Sequence, residues 1–205
     1  MPSNNLNFKN MTITAQMVKE LREETGVSMM QCKNALTESG GDQEKAKEIL
    51  RKKGIAKAEG RSGRDTEEGY VATYIHTTGK LGAIVALSCE TDFVARNEDF
   101  RALANEIAMQ VAAMNPKYVS PDDADSEDLE KEKGIFAEQL KKEGKPEQII
   151  EKILEGKLKK FKEEGSLLKQ KSIKNSEVTI EDMIKEMIAK MGENITIAGF
   201  HRMEL

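Results

Sequence analysis

The sequence predicts an α+β protein: a three-stranded antiparallel sheet with helices on one face, a small helical bundle ahead of it and a projecting helical hairpin. Three observations lead there. YVATYIH (70–76) alternates and is rich in aromatic and β-branched residues, and the apolar run LGAIVALSCE (81–90) follows after the turn TTGK, so the pair reads as a β-hairpin. ITIAGFHRMEL (195–205) alternates again and supplies a closing third strand. Between them, EDFRALANEIAMQVAAM (98–114) repeats Phe100, Leu103, Ala104, Ile107, Ala108 and Val111 at three- and four-residue steps, which makes one apolar helical face. Strands and helices segregated in this way give a layered α+β arrangement, and a three-stranded sheet leaves two edges on which a second copy could pair.

Taken in order, residues 1–10 read as a disordered leader without a signal-peptide core, and Met11 is an alternative start. Residues 11–54 hold three short helices that suggest a small bundle. Thr14 caps the first, with Met17, Val18 and Leu21 inside and Gly26 at its end. Ser28 caps the second, which carries Cys32, Ala35 and Leu36. Asp42 caps the third, with Ala46, Ile49 and Leu50 inside and Gly54 ending it. Met29 and Met30 are adjacent near a helix start, and because consecutive residues lie about 100° apart they cannot both face the core. Either Met29 packs and Met30 is a harmless exposed side chain, or the exposed methionine is a soft contact surface. Residues 55–69, charged and containing Gly and Ala, read as a mobile linker with some helix at its start.

The core region follows from 70 to 205. Asn97 caps the long helix, with Glu98 and Asp99 at its positive end, and Asn115-Pro116 stops it. The segments 126–144 and 145–161 are two helices with narrow apolar stripes, joined at Gly144-Lys145-Pro146. They pair as an antiparallel hairpin over about 126–161. Residues 166–177 form a loop, and Thr179 with Asp182 opens a helix through Met191 that Gly192 ends.

Composition narrows the function. Charged residues make up 33% against 38% hydrophobic, and the net charge of −4 gives no general attraction for nucleic acid or anionic membranes. No apolar run approaches a membrane span, so the expected location is cytoplasmic. Cys32 and Cys89 sit far apart in apolar surroundings and read as free buried thiols; the two His and two Cys make no metal cluster. No phosphate-binding glycine loop, HExxH, GxSxG or CxxC occurs, and no carboxylate pair is framed by apolar neighbours. The residues therefore favour a binding protein over an enzyme of covalent chemistry, with no cofactor. The stretch TDFVARN (91–97), between the best strand and the best helix, is the candidate site, because connections of this kind carry function on a rigid scaffold. The alternative is that Thr91 or Asp92 caps the turn and Phe93 fills the core. Two rival functions are a non-catalytic adaptor or chaperone that holds a partner through Met29, Met30 and the hairpin, and an RNA-binding protein using the basic run Lys157–Lys162.

Three ordered signatures, LREETGVSMMQCKNAL (21–36), CETDFVARNEDF (89–100) and EGKPEQIIEKILEGKLKKF (143–161), resemble those of the translation elongation factor Ts family, and the likeness covers nearly the whole chain after Met11. The length is similar to the short bacterial form, with one core subdomain where longer members have two. The resemblance implies a guanine nucleotide exchange factor for elongation factor Tu, with a ubiquitin-associated-like first module docking on the partner's nucleotide-binding domain through Lys19, Arg22, Met29 and Met30. It implies that Thr91, Asp92, Phe93 and Val94 displace Mg²⁺ from the partner's site, Phe93 wedging between helices and Asp92 pressing on the switch region. Gln110 is placed on the same partner surface, where many members carry His. His201 stands where some short members carry Cys, so a disulfide between subunits there is ruled out, and a homodimer is expected to present both halves of the binding surface.

Overall fold

The computed structural model describes residues 13–144 and 146–205. The leader, Met11 and the Lys145 of the hairpin joint lie outside the described residues. Helices α1 (Ala15–Thr25), α2 (Met29–Glu38) and α3 (Gln43–Glu59) come first. Thr14 and Asp42 cap α1 and α3 through their side chains, accepting from the N–H groups of Met17 and Lys45. Val18, Leu21, Cys32, Ala35, Leu36, Ala46 and Leu50 make a small core of their own.

Helix α3 does not stop at Gly54. It runs on to Glu59, so the first residues of the expected linker are its last turn, and Ala58 is buried in the main core instead of the bundle's. The reason is tertiary. A Cβ on Gly54 would lie 2.9 Å from the Ala189 Cβ of α8 (Ile180–Met191), closer than two carbons approach without displacement. Gly54 is thus a contact residue: its missing side chain lets two helices meet, and the usual helix penalty of glycine is offset by that packing. Beyond α3 the chain is tied down further, with the Arg64 carbonyl accepting from Asn194 Nδ2 at 2.7 Å.

The sheet contains β1 (Glu68–Ile75), β2 (Leu81–Cys89) and β3 (Ile195–Glu204), antiparallel in the order β1-β2-β3. Central β2 alternates as a half-buried strand should: Ala83, Val85, Leu87 and Cys89 face inward. Its register with β3 breaks between Ala86 and Leu87, where Ala86 faces Gly199 and Leu87 faces Ile197, leaving Ala198 as the extra residue of a bulge. The inner face is covered by α5 (Glu98–Met114) and α8; Phe100, Ile107 and Val111 of α5 and Ile180 of α8 are fully enclosed. The outer face is left bare, with Val71, Ile75, Ile84 and Met203 exposed.

Between α5 and α8 the chain makes a detour through α6 (Ser126–Lys142) and α7 (Glu147–Gly165). Leu140, Ile150 and Leu154 are buried in the seam between the two helices, flanked by Phe136 and Ile153. Ile135 and Ile149 of the same two helices are exposed, because a pair of helices buries only its mutual seam. The hairpin's foot is fastened by the Leu167 N–H to the Tyr118 carbonyl at 2.9 Å and by the Ser166 hydroxyl to the Val119 carbonyl at 3.0 Å. Helix α8 opens on the expected capping box. Thr179 Oγ1 accepts from the Asp182 N–H at 3.1 Å, and Asp182 Oδ2 accepts from the Thr179 N–H at the same distance.

Gly54→Val is expected to destabilise the protein by about 1–3 kcal/mol, the usual range for overpacking a close contact. Urea unfolding of the two proteins would measure it, and equal midpoints would show that α3 and α8 separate without cost.

Candidate functional site

The stretch 91–97 folds as a single helical turn, α4 (Asp92–Ala95), followed by the Asn97 cap of α5. Its residues divide sharply. Val94 and Ala95 are buried against the sheet, whereas Phe93 is 82% exposed. The alternative in which Phe93 fills the core is therefore excluded: helical periodicity puts Phe93 on the side opposite its buried neighbours, and Phe100 occupies the core position instead. Asp92 is partly exposed and pairs with Arg96 at 3.0 Å, one helical turn away.

Thr91 is the N-cap residue of α4 by its extended backbone (φ −131°, ψ 157°), yet its side chain makes no capping bond. Its hydroxyl donates to Glu193 Oε1 at 2.7 Å and its N–H to Glu193 Oε2 at 3.0 Å. The Thr91 carbonyl accepts from the Cys89 thiol at 3.2 Å. Burial pushes the Cys89 thiol up to about 11, with the nearby Glu193 charge adding to the effect, so it stays protonated and able to donate at neutral pH. Glu193 lies just beyond α8, 102 residues from Thr91, and no local pattern in the sequence signals this pairing.

The N-terminal candidates are all on the surface. Lys19 and Arg22 are exposed on α1, Lys19 within 3.7 Å of Glu23. Met29 and Met30 are 44% and 66% exposed, so the reading in which Met29 packs into the bundle does not hold; Cys32, one turn on, takes the interior position. Met29 and Met30 form an exposed apolar pair at the start of α2. Gly26, left-handed at φ 66°, brings the end of α1 against α8: a Cβ there would lie 2.7 Å from Lys190 Cε. Lys190 in turn holds Asp99 in the first turn of α5 at 2.7 Å. Arg51 of α3 reaches Asp182 and Glu186 at 3.9 and 3.8 Å. The bundle and the exposed turn are thus referred to one helix, α8.

Gln110 does not join the surface. It is 1% exposed, and its amide is used internally. Nε2 donates to Gln170 Oε1 at 3.1 Å and to the Lys171 carbonyl at 3.0 Å, and Oε1 accepts from the Ile173 N–H at 2.9 Å. Gln110 is a brace that holds the returning limb of the hairpin against α5. The family resemblance places it on the partner surface because many members carry His there, although Gln110 falls one residue before Val111 on the same apolar side of the helix.

No group of three or more His, Cys, Asp or Glu side chains among the described residues is placed to hold a metal ion, and no helix among them is long and apolar enough to cross a membrane. The arrangement offers recognition: a rigid turn that projects one aromatic ring, and a pair of exposed methionines on a separate module. The family model for "Elongation factor TS" matches residues 3–205. The chain belongs to the elongation factor Ts family. It is 56% identical to elongation factor Ts of Fervidobacterium nodosum over 195 residues, covering 95% of this chain and 99% of that protein. It is 57% identical to that of Thermosipho melanesiensis over 188 residues, with 92% and 96% of the two chains covered. Against Caldanaerobacter subterraneus the identity is 54% over 192 residues, covering 94% and 96%. The α+β reading and the resemblance drawn from the three signatures hold, and the protein is a translation elongation factor.

Gln110→Leu should cost about 2–4 kcal/mol, because several buried polar partners lose their bonds at about 1–3 kcal/mol each. Gln110→His should cost less, since a neutral imidazole still offers one donor and one acceptor. Chemical denaturation would rank them, and equal losses would show that the amide bonds contribute little.

Proposed function

We propose that this protein accelerates release of GDP from elongation factor Tu by seating Phe93 in the partner and disturbing its Mg²⁺ site, while Lys19, Arg22, Met29 and Met30 dock the bundle on the nucleotide-binding domain. The observation that carries the reading is Phe93, 82% exposed on a turn whose neighbours Val94 and Ala95 are buried. A ring held out by rigid backbone loses little freedom on docking, and burying it contributes roughly 1.5–3 kcal/mol. That energy can be set against nucleotide affinity, where about 1.4 kcal/mol is a tenfold change. Mg²⁺ demands near-ideal octahedral geometry, so a small displacement of its surroundings weakens it steeply and leaves the nucleotide phosphates less neutralised. Asp92, half-exposed beside Phe93, brings a negative charge to the same place. Because coupling is reciprocal, nucleotide also weakens this protein's hold, and the factor can turn over without any covalent step. The adaptor reading differs in requiring equal affinity with and without nucleotide.

We further propose a homodimer formed through the outer face of the sheet, where Val71, Ile75, Ile84 and Met203 lie exposed across all three strands. An apolar face on a layered sheet is usually covered. A second copy offers the same face, and two such sheets can stack about 10 Å apart.

Stopped-flow release of fluorescent GDP from elongation factor Tu should rise by orders of magnitude with this protein, and Phe93→Ala should lose at least about tenfold of the effect. Unchanged release by that variant would remove the wedge from the mechanism. In sedimentation, the wild type should show twice the chain mass and Met203→Asp with Ile75→Asp a single chain; a monomeric wild type at tens of micromolar would overturn the dimer.

A further inference from the structure

Phe93 has no packing that would fix its own position, so its direction is inherited from the backbone of α4. A helix of one turn does not hold itself: it closes with the Ala95 N–H to Thr91 carbonyl bond at 3.2 Å, the Arg96 N–H to Asp92 carbonyl bond at 3.1 Å and the Asn97 N–H to Val94 carbonyl bond at 3.0 Å, too few to nucleate a helix alone. The restraint comes from outside. At the N-terminal end, two chain segments grip each other reciprocally. The Glu193 carboxylate holds both the N–H and the hydroxyl of Thr91, and the Glu90 carboxylate holds the Asn194 N–H at 2.6 Å. Glu90 and Thr91 are neighbours at the end of β2, and Glu193 and Asn194 are neighbours between α8 and β3. Arg64 lies 3.4 Å from the Glu90 carboxylate, and Asn194 is buried with its amide on the Arg64 carbonyl. Hydrogen bonds to ionised carboxylates are the shorter and stronger kind, and two on one residue fix direction as well as distance.

We infer that Glu193 is a positioning residue for nucleotide exchange: its two hydrogen bonds to Thr91 hold the backbone that aims Phe93. This rests on the exchange reading given above. The alternative, that Glu193 only stabilises the fold, differs in what its loss would change. A structural residue lowers stability and leaves the turn's conformation as it was. A positioning residue loosens Thr91 to Ala95 and slows the bound step more than it weakens encounter, because the bundle still docks through its own surface. Misplacing a contacting group by about 1 Å is enough to cost roughly a hundredfold in rate, so a tenfold loss is a modest expectation.

The test uses the full chain with elongation factor Tu and fluorescent GDP, and compares Glu193→Ala, Thr91→Val, Thr91→Ser and the double variant Glu193→Ala with Thr91→Val. The maximal release rate should fall about tenfold in Glu193→Ala and somewhat less in Thr91→Val, which keeps the N–H bond, with the half-saturating concentration within about threefold of wild type. Thr91→Ser should recover most of what Thr91→Val loses, since it restores the hydroxyl. The double variant should be no slower than Glu193→Ala, because both changes break one interaction. Hydrogen exchange followed by NMR should show the Thr91 amide losing protection in Glu193→Ala. Wild-type rates in both Glu193→Ala and Thr91→Val, with Phe93→Ala slow, would overturn the positioning role and leave the exchange reading standing. Losses that add in the double variant would overturn it as well. Should the wild type itself fail to speed release, the exchange reading falls alone, and unchanged Thr91 protection in Glu193→Ala would then overturn the clamp independently.

Discussion

The contact between α5 and the inner face of β2 is the constraint on which the rest of the molecule depends. Ala83, Val85, Leu87 and Cys89 present one side of the strand, and Phe100, Leu103, Ile107 and Val111 present one stripe of the helix, all in a single core. Each of the larger side chains contributes of order 1.5–3 kcal/mol on burial, so the relative placement of strand and helix is far stiffer than any surface loop. The connection between them has eight residues at most, and two of these, Val94 and Ala95, are themselves buried. Whatever projects from that connection is therefore carried by the core. Phe93 is the residue that projects.

Helix α8 has the complementary part. It closes the other half of the inner face through Ile180, Ile184 and Ile188, and its outward side receives the bundle: Ala189 against Gly54, Lys190 against Gly26, Asp182 and Glu186 near Arg51. The residues just beyond its end hold Thr91. One helix thus refers the docking module and the projecting turn to the same frame. The ion pairs at this joint are long and partly exposed and contribute little each; the close approach at Gly54 is the geometric determinant. Partial burial pushes the Asp182 carboxyl upward, but the Thr179 hydrogen bonds and the Arg51 charge outweigh it and hold it below the ordinary aspartate range, in keeping with its part in the capping box.

Much of this architecture is legible in the sequence. The caps at Thr14, Asp42, Asn97 and Thr179 form as their local patterns predict, because an N-cap is decided by side-chain and backbone groups within one turn. The strands and the α5 stripe follow from their periods, and family membership from three ordered signatures. The departures have a common cause. Gly54 has the look of a helix end because glycine usually marks one, whereas here a helix more than 130 residues away requires its small size. Gln110 lies on the apolar side of α5, but the segment that satisfies its amide is about 60 residues away and no local pattern marks it. Phe100 falls on the α5 stripe that the periodicity shows, whereas Phe93 carries no such signal, and only the chain's direction out of β2 turns it to solvent.

The order of residues along the chain is sufficient for whatever is settled over one or two turns: where helices begin, which strand face is apolar, which short stretch makes a hairpin. It is also sufficient for the family, since the signatures are local strings. Which segment satisfies Gln110, which glycine is a contact and which glutamate holds Thr91 were decided by folding alone. Those outcomes depend on pairs separated by about 60 to 135 residues, and such residues come within reach of each other only once the core that joins α5, α8 and the sheet has formed.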